Sequence, residues 1–165
     1  MLRNFVIFCS AYAILSGPLL AEQIYEGNGF RFTYSDSEKV TVTGEQIKTL
    51  RIKNSNGSEF LIQNHGDSVT PEKLREMMNQ SLLKHLENGA TELTHKTAQR
   101  TIFGTPRNGR YILYSKNNIP SESLLFTFQQ DGDTFCVITQ MALQHSQEAE
   151  RMFAQIQQSL ELIKN

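Results

Sequence analysis

Few residues in this chain are of types that do chemistry. The histidines lie at positions 65, 85, 95 and 145, separations that match no metal-ligand spacing. No metal site and no cofactor is therefore expected. His85 falls seven residues after Met78, at the edge of a helical apolar stripe, where a ring half-buried against a sheet is the plain expectation. The most polar loop, Asn64-His65-Gly66-Asp67-Ser68, sets His65 beside Asp67. Loops of this kind carry binding function, so His65 and Asp67 are candidate partner-binding residues, although Asp67 and Ser68 equally suit the start of a helix. Nucleophilic chemistry has less support. No serine stands in Gly-x-Ser-x-Gly, and Cys136 is mid-strand between Phe135 and Val137, where burial raises a thiol's pKa and closes access to it. No catalytic residue is assigned.

Charge is the uneven feature. Between Leu93 and Ser121 stand Lys96, Arg100, Arg107, Arg110 and Lys116, with no Asp or Glu among them. A basic face of this kind steers an acidic partner or an anionic lipid surface. Arg107 and Arg110, near a turn between two strands, are the remaining candidate contacts. Pairing Phe103 with Arg110 across that turn puts Lys96 and Arg100 on one sheet face and Arg110 and Lys116 on the other, which splits the cluster. The whole chain is balanced, with 16 Lys and Arg against 17 Asp and Glu and a net charge of −1. That balance argues against a nucleic-acid binder.

The elements that must position these residues are marked by period and punctuation. Glu122 to Met141 reads as two strands, 123–128 and 134–139, folded on Asp131-Gly132-Asp133, because Asp-Gly supplies the positive φ that a tight hairpin turn requires. The second strand is apolar at adjacent positions, so both faces of its sheet need cover. Phe30, Phe32 and Tyr34 alternate with polar residues and mark a strand with one buried face. A shorter run, 23–26, precedes it through Gly27-Asn28-Gly29. Strands are also expected over 40–43, 47–53 and 59–63, and then over 91–103 and 109–116 about the turn Gly104-Thr105-Pro106-Arg107-Asn108. Thr70, Pro71 and Glu72 open a helix that Gly89 ends, with Leu74, Met78, Leu82 and Leu86 on one stripe widened by Met77 and Leu83. A second helix starts near Ser146 and places Ala149, Phe153, Ile156, Leu160 and Ile163 on one stripe.

The start of the chain has the layout of a secretory signal peptide: Arg3, an apolar run over 5–15, and Ser16-Gly17-Pro18-Leu19-Leu20-Ala21. The run is too short to span a bilayer. Cleavage is expected between Ala21 and Glu22, leaving 22–165 as a single α+β domain with no transmembrane segment and Cys136 as its sole thiol, hence no internal disulfide. The expected compartment is a periplasm or the outside of the cell. The expected architecture is an antiparallel sheet covered by helices on both faces, an α/β/α sandwich.

This order of elements resembles the Mog/PsbP-like fold family. The marks are Gly29-Phe30-Arg31-Phe32-Thr33-Tyr34, the helix from Pro71 to Asn88, and the closing hairpin followed by a helix centred on Phe153. The resemblance spans roughly Ile24 to Ile163 and implies an accessory role exercised by binding proteins; it brings no site residues. Three functional readings follow, in order: an exported, monomeric, non-enzymatic domain that binds an unknown protein partner in the envelope or outside; a small-molecule carrier with a cleft between helix and sheet; an enzyme of unknown type.

Overall fold

The computed structural model describes residues 22–87 and 90–163, without the side chains at 82, 83, 85–87, 90, 92 and 93. The expected signal peptide, Ala21 and the helix stop at Gly89 lie outside the described residues, as do the side chains of Leu82, Leu83, His85 and Leu86.

Among the described residues, ten strands and two helices follow in order: β1 (Glu22–Gly27), β2 (Phe30–Ser35), β3 (Lys39–Thr43), β4 (Lys48–Lys53), β5 (Glu59–Asn64), α1 (Pro71–Glu87), β6 (Ala90–Ile102), β7 (Thr105–Lys116), β8 (Ile119–Gln130), β9 (Asp133–Ala142), α2 (Ser146–Ser159) and β10 (Glu161–Leu162). A 3₁₀ turn, Leu143–His145, leads into α2. Seven strands form one antiparallel sheet in the order β3-β4-β5-β9-β8-β7-β6, and β1-β2-β10 form a second, smaller one.

The closing hairpin forms as the Asp-Gly signal requires. Gln130 pairs with Asp133, and Asp131 and Gly132 between them have φ of 52° and 96°, the two-residue turn whose twist matches that of the strands it joins. The same geometry recurs at Asn28-Gly29, Phe103-Gly104 and Asn117-Asn118. The second of these corrects the expected β6–β7 loop. The turn is Phe103-Gly104, so 105–108 belong to β7, and Arg100 pairs with Arg107 and Thr97 with Arg110. A phenylalanine at φ 50° is sterically costly; edge-on contacts of its ring with Phe128 and Phe135, at 6.0 and 5.5 Å between centroids, offset that cost. Pro106 has its own consequence. It has no N–H to give to a ladder, and the pairing of β7 with β8 runs only from Gly109 onward.

Side-chain alternation along β8 and β9 separates two packing zones. Leu124, Phe126 and Phe128 with Phe135, Val137 and Met141 lie in the main core, together with Phe30 and Phe32 of the small sheet and Ala149, Met152, Phe153 and Ile156 of α2. The opposite parity, Leu125, Cys136 and Ile138, meets Leu74 and Met78 of α1. The two helices therefore touch opposite faces. Cover on both faces is met only in part, because Met77 is half exposed and the sheet beyond Met78 borders an open cleft. The last expected stripe also changes: α2 ends at Ser159, Leu160 is extended, and the chain pairs with β2 through Glu161–Leu162. Ile163 is thus not a helical residue; its N–H donates to the carbonyl of Gly29.

Cys136 is fully buried between Leu74 and Leu125, and burial pushes its thiol pKa up to about 12. A thiol-specific reagent at neutral pH is expected to label native protein at a rate limited by opening of the fold, and to label denatured protein at once. Rapid, stoichiometric labelling without denaturant would contradict this packing.

Candidate functional site

The four candidate side chains are distributed over different parts of the surface. His65 and Asp67 sit between β5 and α1, where the loop is tied to the start of β9. The His65 N–H donates to the Thr134 carbonyl at 2.9 Å, the Thr134 N–H donates to the Gly66 carbonyl at 2.7 Å, and Thr134 Oγ1 donates to the Val69 carbonyl at 2.6 Å. Asn64 holds the corner, with Nδ2 donating to Asp133 and Oδ1 accepting from the Gly66 N–H. His65 is buried at 8% exposure, whereas Asp67 is exposed on the turn. Helix capping falls to neither Asp67 nor Ser68. Thr70 Oγ1 accepts from the Lys73 N–H at 3.4 Å, and Ser68 Oγ donates to the His65 carbonyl.

Burial lowers the pKa of His65 below its ordinary 6.5. The unfolded chain then binds a proton that the folded one resists. The stability that the neutral ring contributes is present above pH 6.5 and is lost as pH falls through the lower folded pKa. Unfolding by urea at a series of pH values, comparing wild type with His65→Gln, is expected to show a steeper acid-side loss in wild type as pH falls below about 6.5. Equal slopes would remove His65 as the source.

Arg107 and Arg110 are brought to opposite faces of the sheet. Arg107 lies over the Phe128 ring, 4.5 Å from its centroid, and donates to Gln130 Oε1 at 2.6 Å and to the Gln129 carbonyl at 3.4 Å. It serves the β8–β9 turn more than a partner. Arg110 reaches α1, where Nη1 donates to Asn79 Oδ1 at 2.9 Å. Lys96 and Arg100 share the face of Arg107, and Arg100 pairs with Glu150 of α2 at 3.2 Å.

Two larger features emerge that no sequence motif marks. One is the cleft between α1 and strands β7–β9, with about 290 Å³ of accessible space over Met78, Ile112, Leu125 and Ile138, bordered by Tyr114 and Lys116. Burial raises the Tyr114 pKa, so this phenol remains a neutral donor at neutral pH. The other is β6 itself, a strand of 13 residues at one edge of the large sheet, with β7 as its one strand neighbour among the described residues. Edge position follows from topology, and in sequence β6 looks like any other strand. Among the described residues, no group of three or more His, Cys, Asp or Glu is placed to hold a metal ion, and no helix is long and apolar enough to cross a membrane.

The seven-stranded antiparallel sheet, its two helices and the small second sheet together define a PsbP-like fold. Among the solved structures that share it are the following two. Cyanobacterial PsbP (CyanoP) from Synechocystis sp. PCC 6803 matches with a TM-score of 0.50 and 10% identity, covering 96% of this chain and 99% of its own. LpqN of Mycobacterium tuberculosis, involved in cell envelope biogenesis, matches with a TM-score of 0.53 and 11% identity, covering 88% of this chain and 92% of its own. No sequence-family model and no curated protein sequence matches the chain.

Proposed function

We propose that residues 22–165 are one exported domain, released between Ala21 and Glu22 into a periplasm or the exterior, that works as a non-enzymatic accessory protein by binding another protein. In this reading the helices and the small sheet complete an α/β/α frame, and the working surface is the outer edge of β6. That edge carries the argument. It presents a long row of main-chain donors and acceptors on one side, and an extended partner segment satisfies them by adding a strand. Lys96 on β6, beside an Arg100 already paired with Glu150, favours an acidic segment.

Main-chain N–H groups along an edge strand alternate between the neighbouring strand and solvent. Of Thr97→Pro and Ala98→Pro, the variant whose lost N–H faces outward is expected to stay folded while losing the partner. A photo-crosslinker at Gln99, used in the source cell, is expected to capture one protein, less of it as salt is raised. If the folded proline variant gives the same adduct as wild type, the edge is not the binding surface.

A second reading is supported by the α1 cleft. Its apolar floor with Tyr114 and Lys116 at the border is the mixed lining that suits a small amphipathic ligand, and native mass spectrometry of protein purified from its source would detect one.

A further inference from the structure

We propose that Met77 is a surface site of reversible oxidation, where a hydroperoxide delivers one oxygen atom to the thioether sulfur. Beyond residue 21, sulfur is carried by Met77, Met78, Met141, Met152 and Cys136, and the fold gives them unequal access to solvent. Met77 is 50% exposed, whereas Met141 and Met152 are 3% and 4% exposed within the main core. Met78 packs, half-buried, against the cluster of Leu74, Leu125 and Cys136. Cys136 is buried and burial pushes its thiol pKa up to about 12, so it offers no thiolate to a peroxide at neutral pH.

Helix geometry accounts for the contrast between the adjacent methionines. Each residue turns an α-helix by about 100°. Leu74 and Met78, four apart, share the face that meets the sheet, and Met77 is carried off it. The oxidation itself needs no neighbouring group. A sulfur lone pair attacks one peroxide oxygen, the O–O bond breaks, and the proton of the attacked oxygen passes to the other, which leaves as water or an alcohol. Sulfur loses two electrons and the peroxide gains them. The product is a sulfoxide, polar where the thioether was apolar, which disrupts a core but is hydrated at an exposed helix position. Enzymatic reduction returns the thioether. Oxidation is thus compatible with the native fold at Met77 and incompatible with it at Met141 and Met152.

Reactivity at Met77 depends on neither export nor the β6 edge, so its test is separate from theirs. The purified protein is treated with hydrogen peroxide at neutral pH, quenched with free methionine and mapped by peptide mass spectrometry. The first oxygen atom is expected at Met77, at a rate about tenfold or more above those of Met141 and Met152, which react only when the fold opens. In urea all of these methionines are expected to react at similar rates. Met77→Leu, a volume-conserving change to a good helix former, is expected to fold as wild type does and to lose the fast reaction. The singly oxidised protein is expected to keep the urea midpoint of the unmodified one. Methionine sulfoxide reductases of both epimer specificities, with a thiol reductant, are expected to restore its mass without denaturant. First oxidation at Met78, a fast phase that survives in Met77→Leu, the same selectivity in urea, a lowered midpoint of the singly oxidised protein, or a product that the reductases leave unchanged would overturn the proposal.

Discussion

Phe135→Ala is expected to lower the unfolding free energy by about 3–5 kcal/mol, read as a shift of the urea midpoint at unchanged slope. Phe135 is 1% exposed and stands in β9 where three parts of the fold meet. Its ring lies 6.5 Å from Phe30 of the small sheet, 5.5 Å from Phe103 at the β6–β7 turn, and 5.8 Å from Phe128 of β8. Truncation removes the ring's own burial, leaves a cavity, and breaks all three aromatic pairs. It also withdraws the contact that offsets the backbone strain at Phe103. Domains of this size are stable by only about 5–15 kcal/mol, so the variant should sit near the threshold of folding. A loss below about 1 kcal/mol, the range of a tolerated surface change, would show that the three parts do not meet at this ring.

Gly109→Ala is expected to cost about 2–3 kcal/mol, a large effect for one methyl group. The reason is proximity rather than backbone freedom. A Cβ at this position would fall 2.5 Å from the Leu125 carbonyl oxygen and would overlap the Phe126 ring. Gly109 is the partner of Phe126 in the ladder, and Phe126 is completely buried, so the ring has nowhere to retreat. In combination with Phe126→Leu, which makes room, the two losses are expected to be less than additive. Strict additivity in the urea midpoints would mean that the ring does not occupy the space above Gly109.

Positions with strong local chemistry were legible in the sequence. Asp131-Gly132 marks a tight turn because its φ values demand that residue pair; Thr70-Pro71 marks a helix start because cap and first turn are local. The alternation of Phe30, Phe32 and Tyr34 identifies a strand for the same reason. Phe103-Gly104 could not be read in this way. An aromatic residue is a poor choice at positive φ, and only contacts with Phe128 and Phe135, distant in sequence, make it acceptable. Thr105–Asn108, rich in turn-forming residues, therefore reads as a loop although it continues β7. Ile163 fails for a related reason. Its spacing extends the helical stripe, but the small sheet offers β2 as a partner and the chain turns away at Leu160.

The candidate sites divide along the same line. The linear run of bases is visible in sequence, as is its division between two faces, because alternation along a strand is a local property. Which base meets which partner was not visible. Arg107 is committed to the Phe128 ring and the β8–β9 turn, and Arg110 acquires Arg75 as a neighbour only through the docking of α1.

By itself the sequence determined the α+β class, the order of nearly all elements and the buried state of Cys136, since each follows from periodicity, turn stereochemistry or the apolar character of neighbours. Tertiary structure alone decided that β1, β2 and β10 form a separate sheet, that β6 lies at an edge of the large one, and that two arginines line one recess. Those facts depend on strand order and register, which are set by side chains far apart in the chain, and no local pattern encodes them.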